Sequence, residues 1–118
     1  MTADYQPWPV GQSYQYWDIP LATSAGSDDL TGATNFTMIF QNLYGGNMTG
    51  TGTFSVKTTN PAEILYKPSI ADVAQSFKGW LYISAYLPPS NTTADEVIWG
   101  PIGGSATDAT VPFQISPI

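Results

Sequence analysis

The chain has 118 residues with no cysteine and no histidine, and its three cationic side chains face nine acids for a formal net charge of −6. That length gives one domain able to bury a core without metal or disulfide. Thiolate chemistry, cysteine-type zinc sites and Ser–His or Cys–His nucleophiles are excluded. Three lysines are too few to neutralise a nucleic-acid backbone, and no leader pattern or run of ~18 apolar residues is present, so neither nucleic acid nor a membrane is an expected partner.

Residues 1–10 (Met-Thr-Ala-Asp-Tyr-Gln-Pro-Trp-Pro-Val) form the first unit. Pro7 and Pro9 remove donors and push their predecessors into extended conformations, which predicts an extended arm rather than a helix. Trp8, set between the two prolines, has no core of its own within the arm. With Pro7, Pro9 and Tyr5 it makes the candidate interface: the arm either docks into a partner, where aromatic anchors dominate binding, or packs back on its own domain, or offers a ring to a ligand.

Residues 11–118 read as a single β domain. Strands are predicted over 12–21, 34–43, 51–58, 62–67, 79–87, 95–100 and 109–116. Between them lie turns rich in Gly, Pro, Asn and Ser, at 24–28, 44–47, 59–61, 87–91 and 103–104. About seven short strands at this spacing predict an all-β sandwich. Asp29-Leu30-Thr31-Gly32-Ala33-Thr34 is a turn feeding a strand in which Phe36, Met38 and Phe40 recur with period two. Gly32 is expected to need a positive φ, and Gly79 a close backbone approach. Phe36, Met38, Phe40, Trp80, Tyr82 and Phe113 are expected to fill one core. The one helical candidate is 70–77, where Ile70, Val73, Ala74 and Phe77 fall at i, i+3, i+4 and i+7 behind Ser69; it is too short for more than a connecting turn or two.

Leu30-Thr31-Gly32-Ala33 opening a core strand resembles a recurrent feature of immunoglobulin-like domains in tailed-phage virion proteins, such as the N-terminal domain of upper baseplate proteins. The same pattern is met by Gly11 before a polar strand, by Asp72-Val73 followed by Gly79-Trp80-Leu81-Tyr82, and by the closing strand Val111-Pro112-Phe113-Gln114-Ile115, which together span about residues 11 to 116. The Thr/Gly-rich loop at 45–53 and the Trp-containing arm depart from it. The resemblance implies an immunoglobulin-like sandwich and a virion structural role, on the tail, baseplate or capsid surface as a decoration or head-fibre type component. It also implies synthesis in a host cytoplasm and other virion proteins, or further copies of this chain in a symmetric array, as partners.

Charged residues make up 10% of the chain, against about 25% in ordinary soluble domains. A surface of Thr, Ser, Asn, Gln and Gly lets neighbouring molecules approach without desolvating many ions. Carboxylate pairs of the glycosidase kind would have to come from Asp18, Glu63, Asp72, Asp95 and Glu96, none of which sits in a string that fixes a partner, so no enzyme is expected. Asp28, Asp29 and Asn35 offer oxygens but match no calcium loop; Asp28 and Asp29 are expected to cap a turn, and neither metal nor cofactor is expected. Asn35-Phe36-Thr37, Asn47-Met48-Thr49 and Asn91-Thr92-Thr93 fit the glycosylation acceptor pattern by chance in an Asn- and Thr-rich chain. The second functional reading is a carbohydrate-binding module. A planar row of exposed Trp and Tyr on one face would favour it, whereas burial of those rings would favour a structural part.

Overall fold

The computed structural model of the chain describes residues 8–9, 11, 16–21, 29–43, 45–103 and 112–116. Its strands are β1 (Trp8–Pro9), β2 (Trp17–Pro20), β3 (Thr34–Asn42), β4 (Asn47–Thr49), β5 (Thr53–Thr58), β6 (Glu63–Lys67), β7 (Phe77–Tyr86), β8 (Glu96–Ile102) and β9 (Phe113–Ser116), with one 3-10 turn, Thr93–Asp95, before β8. They form two sheets. Sheet A has the order β1-β9-β7-β3-β4 with β8 also on β7, and sheet B the order β2-β6-β5.

Taken as C′-C-F-G and B-E-D, the orders β4-β3-β7-β9 and β2-β6-β5 are those of an immunoglobulin-type sandwich, so the fold is all-β and immunoglobulin-like in connectivity. The ten-residue β7 is the spine of sheet A. β3 pairs along one of its edges, while β9 takes Phe77 to Gly79 and β8 takes Leu81 to Tyr86 along the other. β8 and β9 thus act as one interrupted strand.

Directly opposed residues share a face, so register dictates the core. Met38 and Phe40 of β3 oppose Ile83 and Leu81 of β7, while Trp17 and Ile19 of β2 oppose Tyr66 and Ile64 of β6. All eight side chains are buried, together with Ala85, Trp99, Phe113 and Ile115. Where antibody domains place a disulfide against a tryptophan, this chain places Trp17. Its ring lies 4.8 Å from Phe113, 5.5 Å from Tyr66 and 6.0 Å from Phe40, centroid to centroid.

The expected core is right for Met38, Phe40 and Phe113, and Phe36 packs at its margin against Phe54. It is wrong for Trp80 and Tyr82, which oppose Gln41 and Ile39 on the outer face of sheet A. Both parities of β7 are apolar enough to be buried. The one that goes inward, Gly79, Leu81, Ile83 and Ala85, carries no side-chain polar atom, whereas Trp80, Tyr82, Ser84 and Tyr86 all carry one that water can serve.

The helical candidate at 70–77 forms turns and no helix. The chain turns there, Val73 is buried, Ile70 stands 77% exposed, and Phe77 already belongs to β7. So short a segment cannot offset helix nucleation, and the Asp72 carboxylate instead accepts from the Ser69 N–H at 3.1 Å, closing a turn. β4, absent from the expected strands, pairs with β3 across the Gly45-Gly46 hairpin. Gly32 has φ +75 and a Cβ there would lie 2.9 Å from Cγ of Pro88, as its turn demands. A Cβ on Gly79 would overlap the carbonyl oxygen of Gln41, the close approach expected of it. The parts of the expected strands at 12–15 and 109–111 lie outside the described residues.

Candidate functional site

The outward face of sheet A follows from the same register. β3 contributes Thr37, Ile39 and Gln41, β7 contributes Lys78, Trp80, Tyr82, Ser84 and Tyr86, β8 contributes Glu96 and Ile98, and β4 contributes Asn47 and Thr49. Among the described residues the charges on this face are Lys78 near one end of β7 and Glu96 beside the other. Between them the surface is aromatic, aliphatic, amide and hydroxyl.

Trp80, Tyr82 and Tyr86 are half-buried, and Ile98 is 63% exposed. The position of the Tyr82 ring has a local cause. A Cβ at Gly100 of β8 would stand 2.5 Å from Cδ1 of Tyr82, so the glycine leaves room for the ring to lie across the neighbouring strand rather than stand off the sheet. Beside it a groove of about 300 Å³ runs between Ile39, Gln41, Asn47, Tyr82, Ser84 and Ile98. It crosses β4, β3, β7 and β8, a span of about 14 Å at the usual strand spacing.

A second recess of about 490 Å³ opens under the β3–β4 hairpin, bounded by Phe40, Asn42, Met48, Asp72, Gln75 and Phe77. The carboxylate at its back is already engaged. Asp72 is 3% exposed and accepts from the Tyr66 hydroxyl, from the Thr51 N–H at 3.0 Å and from the Ser69 N–H at 3.1 Å. The Tyr66 oxygen in turn accepts from the Gly52 N–H at 2.8 Å. Burial, with the Asp72 acceptor adding to it, pushes the Tyr66 hydroxyl far above the ordinary tyrosine range, so it remains a donor. This arrangement pins the start of β5 and the turn before β7 to β6, which is a structural task.

The remaining expected acids lie elsewhere. Asp18 and Glu63 come together on the outer face of sheet B, where Lys57 Nζ lies 2.6 Å from Asp18 and 3.2 Å from Glu63. Partial burial pushes the Asp18 carboxyl up, but its interactions with Glu63 and Lys57 outweigh it and the net direction is down. The bonds Lys57 makes to both carboxylates raise its own value. Asp29 accepts from the Thr31 hydroxyl at 2.6 Å and N–H at 2.8 Å, and Asp95 accepts from the Ser90 N–H at 3.1 Å. Both carboxyls are lowered by these bonds, as turn caps are. Among the described residues no group of three His, Cys, Asp or Glu side chains is placed to hold a metal, and no helix is long and apolar enough to cross a membrane. Asp28 lies outside the described residues.

Of the arm residues, Tyr5 and Pro7 lie outside the described residues. The backbone of Trp8 and Pro9 runs parallel to β9 opposite Ile115 and Ser116, and Gly11 donates its N–H to the Val73 carbonyl at 2.7 Å. This end of the arm therefore extends sheet A of its own domain. The residues that sequence reasoning missed are Gln41, Tyr82 and Ile98 of the outer face; Ile39, which breaks the alternation of β3, already pointed to cover on that side. The signal was present in Trp80-x-Tyr82-x-Ser84-x-Tyr86, an alternation whose every member ends in a polar atom. Compared with known protein families, with characterised proteins and with solved structures, the chain matches none.

Proposed function

We propose that this chain is a non-enzymatic structural module of a tailed-phage virion, an accessory component of the tail, baseplate or capsid surface that follows synthesis in the host cytoplasm by joining other virion proteins or further copies of itself. The observation that carries the reading is the outer face of sheet A. From Lys78 to Glu96 it holds no charge among the described residues and presents Trp80, Tyr82, Ile39 and Ile98. Surfaces of that composition belong to proteins that meet something. The immunoglobulin-type strand order supports the reading because it agrees with the resemblance carried by Leu30-Thr31-Gly32-Ala33 and Gly79-Trp80-Leu81-Tyr82.

A second reading, attachment to a glycan surface, is favoured by a specific observation: Trp80, Tyr82 and Tyr86 line one outward face instead of filling the core. Electron microscopy of purified particles labelled for this chain tests the first reading. Label on the tail, baseplate or capsid lattice is the expected outcome, and particles that carry no copy of the chain would refute it.

A further inference from the structure

We propose that the groove on the outer face of sheet A binds a neutral, hydroxyl-rich polysaccharide, with one sugar ring stacked on Tyr82 and its neighbours reaching Trp80 on one side and Ile98 on the other. The inference rests on the attachment reading and is independent of where in a particle the chain resides.

Three features select this ligand. First, the Tyr82 ring lies against β8 in the space left by Gly100 and borders the groove, and Trp80 follows about 7 Å along β7. Ring faces of this kind stack against flat apolar faces of a ligand without demanding a fixed sequence of groups. Second, the groove walls alternate apolar and polar: Ile39 and Ile98 stand beside Gln41, Asn47 and Ser84. Side-chain amides and a hydroxyl each donate and accept, which matches a ligand whose hydroxyls do the same. Third, the charges are confined to Lys78 and Glu96, near the two ends of β7, so neither an anionic nor a cationic polymer finds a counter-charge along the groove.

The same features disfavour a second copy of the chain as the occupant. A dry, self-complementary interface would bury Gln41, Asn47 and Ser84, and each unpaired amide or hydroxyl would cost about 1–3 kcal/mol. A groove of about 300 Å³ falls at the lower end of ligand-site volumes, roughly 300–1,000 Å³, and is open enough for a chain to pass across.

Affinity electrophoresis of the full chain through gels carrying dextran, mannan or xylan, with alginate as the anionic comparison, tests the proposal. Retardation by at least one neutral polymer and none by alginate is expected. Tyr82→Ala should weaken it roughly tenfold, the loss of a central anchoring ring, while Tyr82→Phe, which keeps the ring, should retain it. Ile98→Asp places a charge at an exposed position and should also weaken binding several-fold with an unchanged melting temperature, which guards against a folding defect in Tyr82→Ala. Absence of retardation by all three neutral polymers overturns the proposal, as does retardation that Tyr82→Ala and Ile98→Asp leave intact. A dimer in sedimentation that Ile98→Asp dissociates, without polysaccharide binding, overturns it in favour of a second copy. None of these failures alters where label falls on particles.

Discussion

Tyr66→Phe removes one oxygen and leaves an aromatic ring of the same size in the core, so its cost reads the polar pin alone. Two interactions go with that oxygen: the bond it donates to the buried Asp72 carboxylate and the bond it accepts from the Gly52 N–H. A hydrogen bond to a charged acceptor is worth about 1.5–3 kcal/mol, and a half-buried N–H stripped of its acceptor costs about 1 kcal/mol more. The ring contacts with Trp17 and Phe54 remain. The expected loss is therefore about 3 kcal/mol, a large part of the roughly 5–15 kcal/mol that holds a domain folded. Urea unfolding at neutral pH, with an unchanged dependence on denaturant concentration, measures it. A loss below about 1 kcal/mol would refute the pin.

A pH series adds a second check of the same bond. The native hydroxyl is raised far above its ordinary value, whereas in the unfolded chain it titrates near 10. Above that pH the unfolded state binds fewer protons than the native one, so the stability of the parent falls by about 1.4 kcal/mol per pH unit from this group. Below pH 10 the contribution is fully present. Tyr66→Phe lacks the titrating group, so the gap between parent and variant should close as pH rises through 10 to 11. A constant gap would show that the hydroxyl ionises normally in the folded protein.

Trp17→Ala should cost about 3–5 kcal/mol, as truncation of a buried aromatic does, while Trp80→Ala on the outer face should cost no more than about 1 kcal/mol; equal losses in urea unfolding would contradict the two faces assigned to β2 and β7. The lowered carboxyls of Asp29, Asp95 and Asp18 contribute stability that is present above the ordinary carboxylate range and lost as pH falls through their native values, so Asp29→Asn should shallow the acid limb of an unfolding titration, and an unchanged limb would show that the Thr31 cap is not formed. Deletion of residues 2–10 should leave the sandwich folded but strip β9 of its parallel neighbour, lowering the melting temperature by a few degrees, roughly the effect of 1 kcal/mol. If the truncated chain also joins particles normally, attachment runs through the strand edges and not through the arm.

The sequence is most legible where one period is clean. Along β3, Met38 and Phe40 are apolar and Thr37 and Gln41 polar, so its inner face could be read directly, and the Gly32 turn before it announces itself by residue type. β7 is ambiguous because both of its faces are apolar; only pairing with β3 decides which one is buried, and pairing is a property of distant residues. The false helix at 70–77 arose from side chains that do share a helical face, one of which, Val73, is buried by a turn, while Phe77 belongs to the strand that follows. β4 was invisible since it is only three residues long and Asn47, Met48 and Thr49 are all exposed, too short a run for its alternation to stand out. The parallel pairing of β1 with β9 joins the two ends of the chain, and no local pattern can encode it.

The two outer faces of the sandwich solve the same problem in opposite ways. On sheet B, Lys57 reaches from the edge strand β5 to Asp18 of β2 and Glu63 of β6, so a lysine, the residue most effective at discouraging edge pairing, is also tethered across all three strands. A face organised around bound charges resists a partner, which would have to desolvate them. On sheet A the corresponding positions hold Ile39, Gln41, Tyr82 and Ser84, and between Lys78 and Glu96 no described residue of that face needs to lose an ion's hydration before contact. With so few charged residues in the chain, placing four of them, Asp18, Lys57, Glu63 and Lys67, on one face leaves the other open to association, and that asymmetry is why the outer face of β3, β7 and β8 is where this domain should meet what it binds.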